Sequence, residues 1–355
     1  MAEEGIDIDV VSPGEIYTAS AAGFPMENSF FHGNNKTDGD IAFAIDNKVG
    51  YFVVDNLDEL EALNRIAGEK GVNQKILLRV TPGIDPHTHK KISTGSVESK
   101  FGIAIETGQA FSAARAVLNL KNVTLCGFHC HIGSQIFESV PFATALEIML
   151  DFIKNVKEKL GFNTDMLNLG GGFGVRYTES DPKISYTEKI REVANSLNKQ
   201  CAALGLNTPK ILTEPGRSLV ADAGITLYTV GSVKEIAGYK NYVSIDGGMT
   251  DNPRYTLYES PYTVILASNA DKKCDFTADI AGRCCESGDL IGEGFKLPKP
   301  KRGDILAVLT TGAYNYSMAS NYNRIARPPV VMLNSERDYI AVKRESLSDI
   351  CSLDV

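Results

Sequence analysis

Up to about residue 221, short apolar runs and longer stretches with a helical apolar period take turns along the chain. Ile6-Asp7-Ile8-Asp9-Val10-Val11 alternates, which predicts a strand. Ser12 and Pro13 then open a helix through Ala22, the serine suited to the N-cap and the proline to the first turn. Further strands are expected at Ser29 to His32, Tyr51 to Val54, Ile76 to Val80, Val123 to His129, Met166 to Leu169 and Ile211-Leu212. Helices are expected between the polar loop ending at Lys36 and Asn47, over Leu57 to Glu69, over roughly Thr107 to Asn119, and over Pro141 to Leu160. The last of these has apolar residues at Phe142, Leu146, Met149, Phe152, Ile153 and Val156, one face of a helix. Thr81 to Gly102 reads as a loop too long for an idle connector.

Strict strand–helix alternation implies parallel strands with right-handed crossovers. About seven units are legible, where a closed (β/α)8 barrel has one more. After Ala221 the pattern changes. Gly224 to Val230, Tyr242 to Ile245, Asp275 to Ile280 and Asp304 to Leu309 are strand-like without long helices between them, which predicts an antiparallel β domain. The expected organisation is a barrel domain over 1–221 and a β domain over 222–355.

Composition adds exclusions. At 355 residues, 43% hydrophobic and 23% charged, the chain suits a barrel plus a smaller domain. A net charge of -8 and a pI near 5.3 argue against nucleic acid or an anionic membrane as partner. No apolar stretch approaches the ~20 residues of a membrane span. The acidic start, Met1-Ala2-Glu3-Glu4-Gly5, lacks the apolar core of a signal peptide. Seven cysteines without framework spacing suggest reduced thiols in a cytoplasmic protein.

Several polar constellations sit where barrel enzymes carry their chemistry, at the carboxyl ends of strands. Ile211-Leu212 runs into Thr213-Glu214-Pro215-Gly216-Arg217. A carboxylate there can hold a protonated ring nitrogen, and an arginine fork can hold phosphate or carboxylate; a turn with a surface ion pair is the plainer alternative. Gly170-Gly171-Gly172-Phe173-Gly174 follows a strand directly and is suited to wrapping a phosphate, or is merely a tight turn. It fails as a dinucleotide fingerprint. His129-Cys130-His131-Ile132-Gly133-Ser134 places two imidazoles on one face of a strand end. A metal pair there lacks a third ligand at sensible spacing. One imidazole stacking on a flat cofactor, with Ser134 donating to phosphate, is preferred; a core histidine is the alternative. Arg283-Cys284-Cys285-Glu286-Ser287-Gly288-Asp289 offers a cysteine beside an acid as a proton donor, or a buried free thiol.

Taken together, His129-Cys130-His131-Ile132-Gly133-Ser134, the triple glycine, Glu214-Pro215-Gly216-Arg217, Cys285-Glu286-Ser287-Gly288-Asp289 and Gly312-Ala313-Tyr314 resemble the fold-type III, pyridoxal-phosphate-dependent amino acid decarboxylases. Asp9 to Glu15 and His32-Gly33-Asn34-Asn35-Lys36 match them too, so the resemblance runs through the whole chain in order. Within the family it is nearest to the branch that converts meso-2,6-diaminopimelate to L-lysine. The resemblance implies pyridoxal 5'-phosphate as cofactor, a small amino acid as substrate, no metal, and a homodimer with shared active sites. It implies that His131 stacks on the ring and that Glu214 pairs with the pyridinium nitrogen. Ser134, Gly170, Gly171, Gly172, Gly216 and Arg217 would hold the phosphate, with Tyr314 between cofactor and substrate. Arg217, Arg254, Tyr258, Glu286 and Tyr314 would contact substrate. Cys285, entering from the partner subunit, would protonate the carbanion left by loss of carbon dioxide.

The family's Schiff-base lysine lies on the first barrel strand, upstream of the stretch matching Ile6 to Val11, and neither Lys36 nor Lys100 matches it. The resemblance therefore implies a (β/α)8 TIM barrel lacking its first βα unit, followed by the β domain, in an N-terminally truncated copy with little activity. A non-catalytic binding relative, or a decarboxylase for ornithine, arginine or carboxynorspermidine, are the other readings. Retention of Glu214, Arg217, Cys285, Glu286 and Tyr314 favours the enzyme. Glu286 with Arg254 favours a substrate with a distal ammonium and a distal carboxylate.

Overall fold

The structure, a computed structural model, describes residues 1–84 and 97–355. The middle of the long loop expected over Thr81 to Gly102 lies outside the described residues. The chain forms two compact units, Met1–Phe173 with Ile184–Pro215, and Gly174–Lys183 with Gly216–Val355.

The first unit holds strands β1 (Ile8–Val10), β2 (Ser29–Phe31), β3 (Tyr51–Val54), β4 (Gln74–Thr81), β5 (Ile103–Ala104), β6 (Val123–His129), β7 (Met166–Asn168) and β8 (Lys210–Leu212). They pair in the order β1-β2-β3-β4-β6-β7-β8, with β5 beside β4 off this path, and every pair is parallel. The crossovers carry helices α1 (Pro13–Ala21), α2 (Asp38–Asp46), α3 (Leu57–Glu69), α4 (Gln109–Val117), α5 (Val140–Leu160) and α6 (Tyr186–Leu204). Side-chain caps set where several of them start: the Ser12 hydroxyl accepts the Glu15 N–H, Thr37 and Asp40 form a capping box, and Asn56 accepts from Glu59.

Alternation along the strands sorts their side chains into two layers. Phe31, Phe52, Val54, Ile76, Leu78, Phe128 and Leu167 face the helices, in one large buried cluster with Ile41, Leu63, Leu146 and Met149. Phe30, Val53 and Leu77 form a separate cluster with Tyr51, Met166 and Leu212, contributed by the strands alone. A parallel sheet whose inner face is filled by its own side chains is the construction of a barrel-type sheet. Among the described residues, α6 is the one long helix that the pattern did not reveal. Within it only Leu197 and Cys201 are fully buried, so its apolar stripe is thin.

The second unit holds α7 (Gly216–Val220), β9 (Ile225–Ile236), β10 (Lys240–Ile245), α8 (Arg254–Tyr258), β11 (Val264–Leu266), β12 (Phe276–Ala281), β13 (Leu290–Leu297), β14 (Ile305–Leu309), β15 (Val330–Leu333), β16 (Asp338–Val342) and α9 (Leu347–Ile350). Six strands pair in the order β11-β14-β9-β10-β12-β13, and β15 and β16 form a separate hairpin. The expectation of an antiparallel domain needs one correction: β10 and β12 run parallel, because α8, β11 and a return connection separate them in the chain. Tyr228, Val230, Val243, Ile245, Ile280, Ile291, Leu306 and Val308 form the core of this unit. Among the described residues, no helix is long and apolar enough to cross a membrane.

Candidate active site

In the first unit, four side chains at or just past the carboxyl ends of parallel strands converge: His32 after β2, His129 closing β6, Asn168 closing β7, and Glu214 after β8. Asn168 Nδ2 donates to Glu214 Oε1 at 2.8 Å. His129 Nε2 lies 2.9 Å and His32 Nε2 3.4 Å from the same oxygen. Neither imidazole nitrogen has the alignment of a hydrogen bond, and both are buried. His32 Nε2 is also 3.4 Å from Asp9 Oδ1, in β1.

Burial alone would push the Glu214 carboxyl up, but His129 and His32 outweigh it and hold the group well below the usual carboxylate range. Glu214 is therefore an ionised carboxylate within the protein. Burial pushes His129 down to about 3, against the pull of the Glu214 carboxylate. Burial opposes protonation of His32 as well, but the Glu214 and Asp9 carboxylates win and raise its pKa. The His32, His129 and Glu214 ligand atoms lie within 4.8 Å of one another, a set with the composition of a transition-metal site. The third ligand that spacing along the chain did not offer thus comes from distant strands, and His131 is not part of the set.

His131 takes a different role. Its Nδ1 accepts the Gly171 N–H at 3.2 Å, which leaves the ring proton on Nε2. Burial pushes its pKa down to about 4, so the ring is neutral. The glycines after β7 are needed first for close backbone crossings. A Cβ on Gly171 would lie 2.0 Å from the Glu214 carbonyl oxygen, and one on Gly172 2.2 Å from that of Gly133. The Gly170 N–H is given to Asn168 Oδ1 at 2.8 Å. Gly170 and Gly171 thus direct their N–H groups at the site's own side chains. The Gly172 carbonyl accepts the Ile136 N–H at 2.9 Å, which fastens the loop bearing half-buried Ser134.

In the second unit, Arg217 in α7 is buried and donates from Nη1 to the Tyr177 hydroxyl at 2.7 Å. Its guanidinium carbon lies 4.8 Å from the Tyr314 ring centroid. Arg254, at the start of α8, is buried, with its guanidinium carbon 5.0 Å from the Tyr177 ring and 6.0 Å from that of Tyr258. Nη2 donates to Ser260 Oγ at 3.1 Å, while buried Nε has no hydrogen-bond partner. Tyr177 therefore carries both arginines. Gly216 is exposed, and a Cβ there would meet nothing within 4 Å, so no close backbone approach explains it.

Cys285 and Glu286 are exposed in the loop between β12 and β13. The Cys285 N–H donates to Asn323 Oδ1 at 3.0 Å, and the Tyr322 hydroxyl donates to Glu286. Cys284 is half-buried, and burial, with Asp289 beside it, pushes its thiol up to about 11.

Sequence reasoning assigned no role to Asn168, Tyr177, Asp289 or the charge of His32. Asn168 and His32 share one signal: each lies at the carboxyl end of a barrel strand. Tyr177 carries none, because Arg217 and Arg254 are distant in the chain; Asp289 stood in the motif that begins at Cys285, which did not disclose that it holds the loop.

The donor set fits a pyridoxal cofactor. A half-buried, ionised carboxylate complements a protonated ring nitrogen, and a neutral imidazole of fixed tautomer offers a flat face. The family model for the pyridoxal-dependent decarboxylases, pyridoxal binding domain, matches residues 1–221. The diaminopimelate decarboxylase of Bacillus methanolicus is 48% identical over 97% of this chain and 80% of that protein. That of Bacillus subtilis strain 168 is 47% identical over 99% of this chain and 80% of its own length. The crystal structure of the diaminopimelate decarboxylase from M. jannaschii superposes with a TM-score of 0.92 at 36% identity, over 100% of this chain and 80% of that one. On these grounds the chain belongs to the pyridoxal-dependent decarboxylases, with diaminopimelate decarboxylases as its relatives.

Proposed function

We propose that this protein decarboxylates meso-2,6-diaminopimelate to L-lysine with pyridoxal 5'-phosphate as cofactor. The observation that carries the reading is Glu214: a carboxylate kept ionised inside the protein, fixed by Asn168 and flanked by two imidazoles. A second crystal structure of the M. jannaschii enzyme is a complex with L-lysine, the product this reading expects.

When bound, the cofactor takes up the electron pair released as carbon dioxide leaves. Glu214 keeps its ring nitrogen cationic, and neutral His131 lies on the ring face. Ser134, Gly172, Gly216 and Arg217 bind the phosphate, and Gly170 and Gly171 hold Asn168 and His131 in place. Tyr314 packs on the Arg217 guanidinium. Arg254, with Tyr258, receives the carboxylate at the substrate's far end, and Glu286 its ammonium. Cys285 delivers the proton to the carbon that lost its carboxylate. We further propose a cytoplasmic homodimer. All seven cysteines are free, as a reducing compartment requires. Exposed Val331, Leu333 and Ile340 on the β15–β16 hairpin offer apolar surface to a second copy.

The test is product analysis on the protein expressed from its whole gene, with pyridoxal 5'-phosphate and meso-diaminopimelate, ornithine or arginine as substrate. Lysine and carbon dioxide from diaminopimelate are expected. Turnover of ornithine or arginine in preference would replace the substrate assignment, and absence of cofactor binding would remove the reading altogether.

A further inference from the structure

Asn168 is the last residue of β7, its side chain lies between two site elements, and it is 3% exposed. Its Oδ1 accepts the Gly170 N–H at 2.8 Å, and its Nδ2 donates to Glu214 Oε1 at 2.8 Å. The main-chain partner settles the orientation of the amide: an oxygen must face an N–H, so the NH2 must face Glu214. A second link runs alongside, from the Glu214 N–H to the Gly170 carbonyl at 3.0 Å. Backbone and side chain of Glu214 are thus both registered on the first glycine of the turn. The two imidazoles near the carboxylate do not supply this restraint, since neither makes an aligned hydrogen bond to it.

We propose that Asn168 is a positioning residue which, keyed by the Gly170 N–H, holds Glu214 Oε1 and so aims the carboxylate, leaving Oε2 as the acceptor for the ring nitrogen of the cofactor. The inference rests on the pyridoxal reading above and names how that site recognises the ring. An amide NH2 suits this task because it can only donate. A carboxylate at 168 would satisfy Gly170 equally well but would set a second negative charge against Glu214.

Equilibrium binding separates this role from a merely structural one. Three ligands are titrated by their absorbance: pyridoxal 5'-phosphate, its 1-deaza analogue with carbon in place of the ring nitrogen, and pyridoxal without phosphate. Wild type should prefer the cofactor over the deaza analogue, and over pyridoxal. In Asn168→Asp the preference for the ring nitrogen should fall by at least about tenfold, the low end for a lost hydrogen bond to a charged group. The preference for phosphate should stay within about twofold of wild type in the same variant, an error-sized change. Asn168→Ser, which keeps a small donor, should recover part of the loss, and thermal melts report whether each variant is folded. If folded Asn168→Asp and Asn168→Ser both discriminate ring nitrogen as wild type does, Asn168 does not act through Glu214 and the proposal fails alone. Should both preferences fall in parallel, the residue is structural and the proposal again fails. A wild type that does not distinguish the cofactor from its deaza analogue would sink the pyridinium reading of Glu214 itself, and the proposal with it.

Discussion

Lys36 Nζ lies 2.8 Å from Glu59 Oε1, with the two side chains 1% and 3% exposed. The same ammonium donates to the carbonyls of Gly33 and Val53, each at 2.9 Å. Three donors meet three acceptors, so no lone pair is left for chemistry with an aldehyde. Incubation with pyridoxal 5'-phosphate, borohydride reduction and peptide mapping should leave Lys36 unlabelled. Lys36→Met should cost about 3–5 kcal/mol in urea unfolding, because it strands a buried carboxylate. The double variant Lys36→Met/Glu59→Leu should regain most of that. A stoichiometric adduct on Lys36 would contradict the assignment.

Asp289 organises the loop that carries Cys285. Its carboxylate accepts the Met249 N–H at 2.6 Å and the Cys284 N–H at 2.7 Å, and the residue is 2% exposed. It fills the space that side chains at 248 and 282 would need: a Cβ would come within 2.5 Å of it at Gly248 and 2.2 Å at Gly282. Asp289→Ala should destabilise the protein by about 2 kcal/mol, since two partly buried N–H groups lose a carboxylate acceptor. It should also speed modification of Cys284 by a thiol reagent, followed by mass spectrometry. Unchanged thiol kinetics in a destabilised variant would mean that the loop keeps its shape without Asp289.

The adjacent cysteines should separate cleanly in kinetics. Cys284 is half-buried with its thiol pushed up by burial and Asp289, whereas Cys285 is exposed. In the protein expressed from its whole gene, Cys285→Ala should lower kcat by at least ~10²-fold, the usual scale for a positioned proton donor. Cys284→Ala should have a far smaller effect. Comparable losses in both variants would make Cys285 a structural residue.

Much of the first unit was legible because its chemistry is local in sequence. Ser12, Thr37 and Asn56 cap the helices they precede, and α5 shows its apolar stripe in six positions. α6 escaped because the helix surface that meets the core is narrow. β13 escaped for another reason: Gly292 and Gly294 interrupt its apolar pattern and mimic a turn. β15 and β16 are largely exposed, so no alternation marks them. At the site, motifs exposed Glu214 and His131, but not what holds them. Asn168 meets Glu214 across 46 positions, and Tyr177 meets Arg217 across 40. Such pairings exist only once the strands are in register, which is why residue types alone could not announce them.

The acid limb of stability should report His131. Its pKa is pushed down to about 4 chiefly by burial; Glu214 pulls the other way, and Arg79 and His32 add to the depression. An unfolded histidine titrates near ~6.5. As pH falls from about 6.5 to about 4, the unfolded state gains a proton that the folded state refuses, so stability drops across that window and is intact above it. Replacing His131 by Asn removes this contribution, while His129 remains in both proteins and cancels. Urea unfolding at several pH values between 7 and 4 should give a flatter dependence in His131→Asn, by up to about one proton. Equal slopes would mean that the ring is solvated in the folded protein.

Arg254 gives the sharpest test of substrate choice. The residue is 3% exposed, its guanidinium carbon lies 5.0 Å from the Tyr177 ring centroid, and its buried Nε has no hydrogen-bond partner. Among the described residues no carboxylate pairs with it. A buried cation with donor capacity to spare is suited to a carboxylate brought by the substrate. Meso-diaminopimelate has an amino acid group at each end, so the end that does not react carries both an ammonium and a carboxylate. L-Lysine has only the ammonium there and would leave Arg254 unpaired. A charge-assisted hydrogen bond is worth about 1.5–3 kcal/mol, on the order of 10- to 150-fold in affinity. Arg254→Leu should therefore lower kcat/KM for diaminopimelate by about that factor. It should leave the much smaller kcat/KM for lysine nearly unchanged, so the ratio between the substrates narrows. Loss of folding would depress both alike, and Arg254→Lys, which keeps the charge without the planar fork, should recover part of the ratio. If the ratio is the same in wild type and Arg254→Leu, the distal carboxylate is read elsewhere. The preference for diaminopimelate over ornithine would then rest on Glu286 alone, and ornithine carries an ammonium at that end as well.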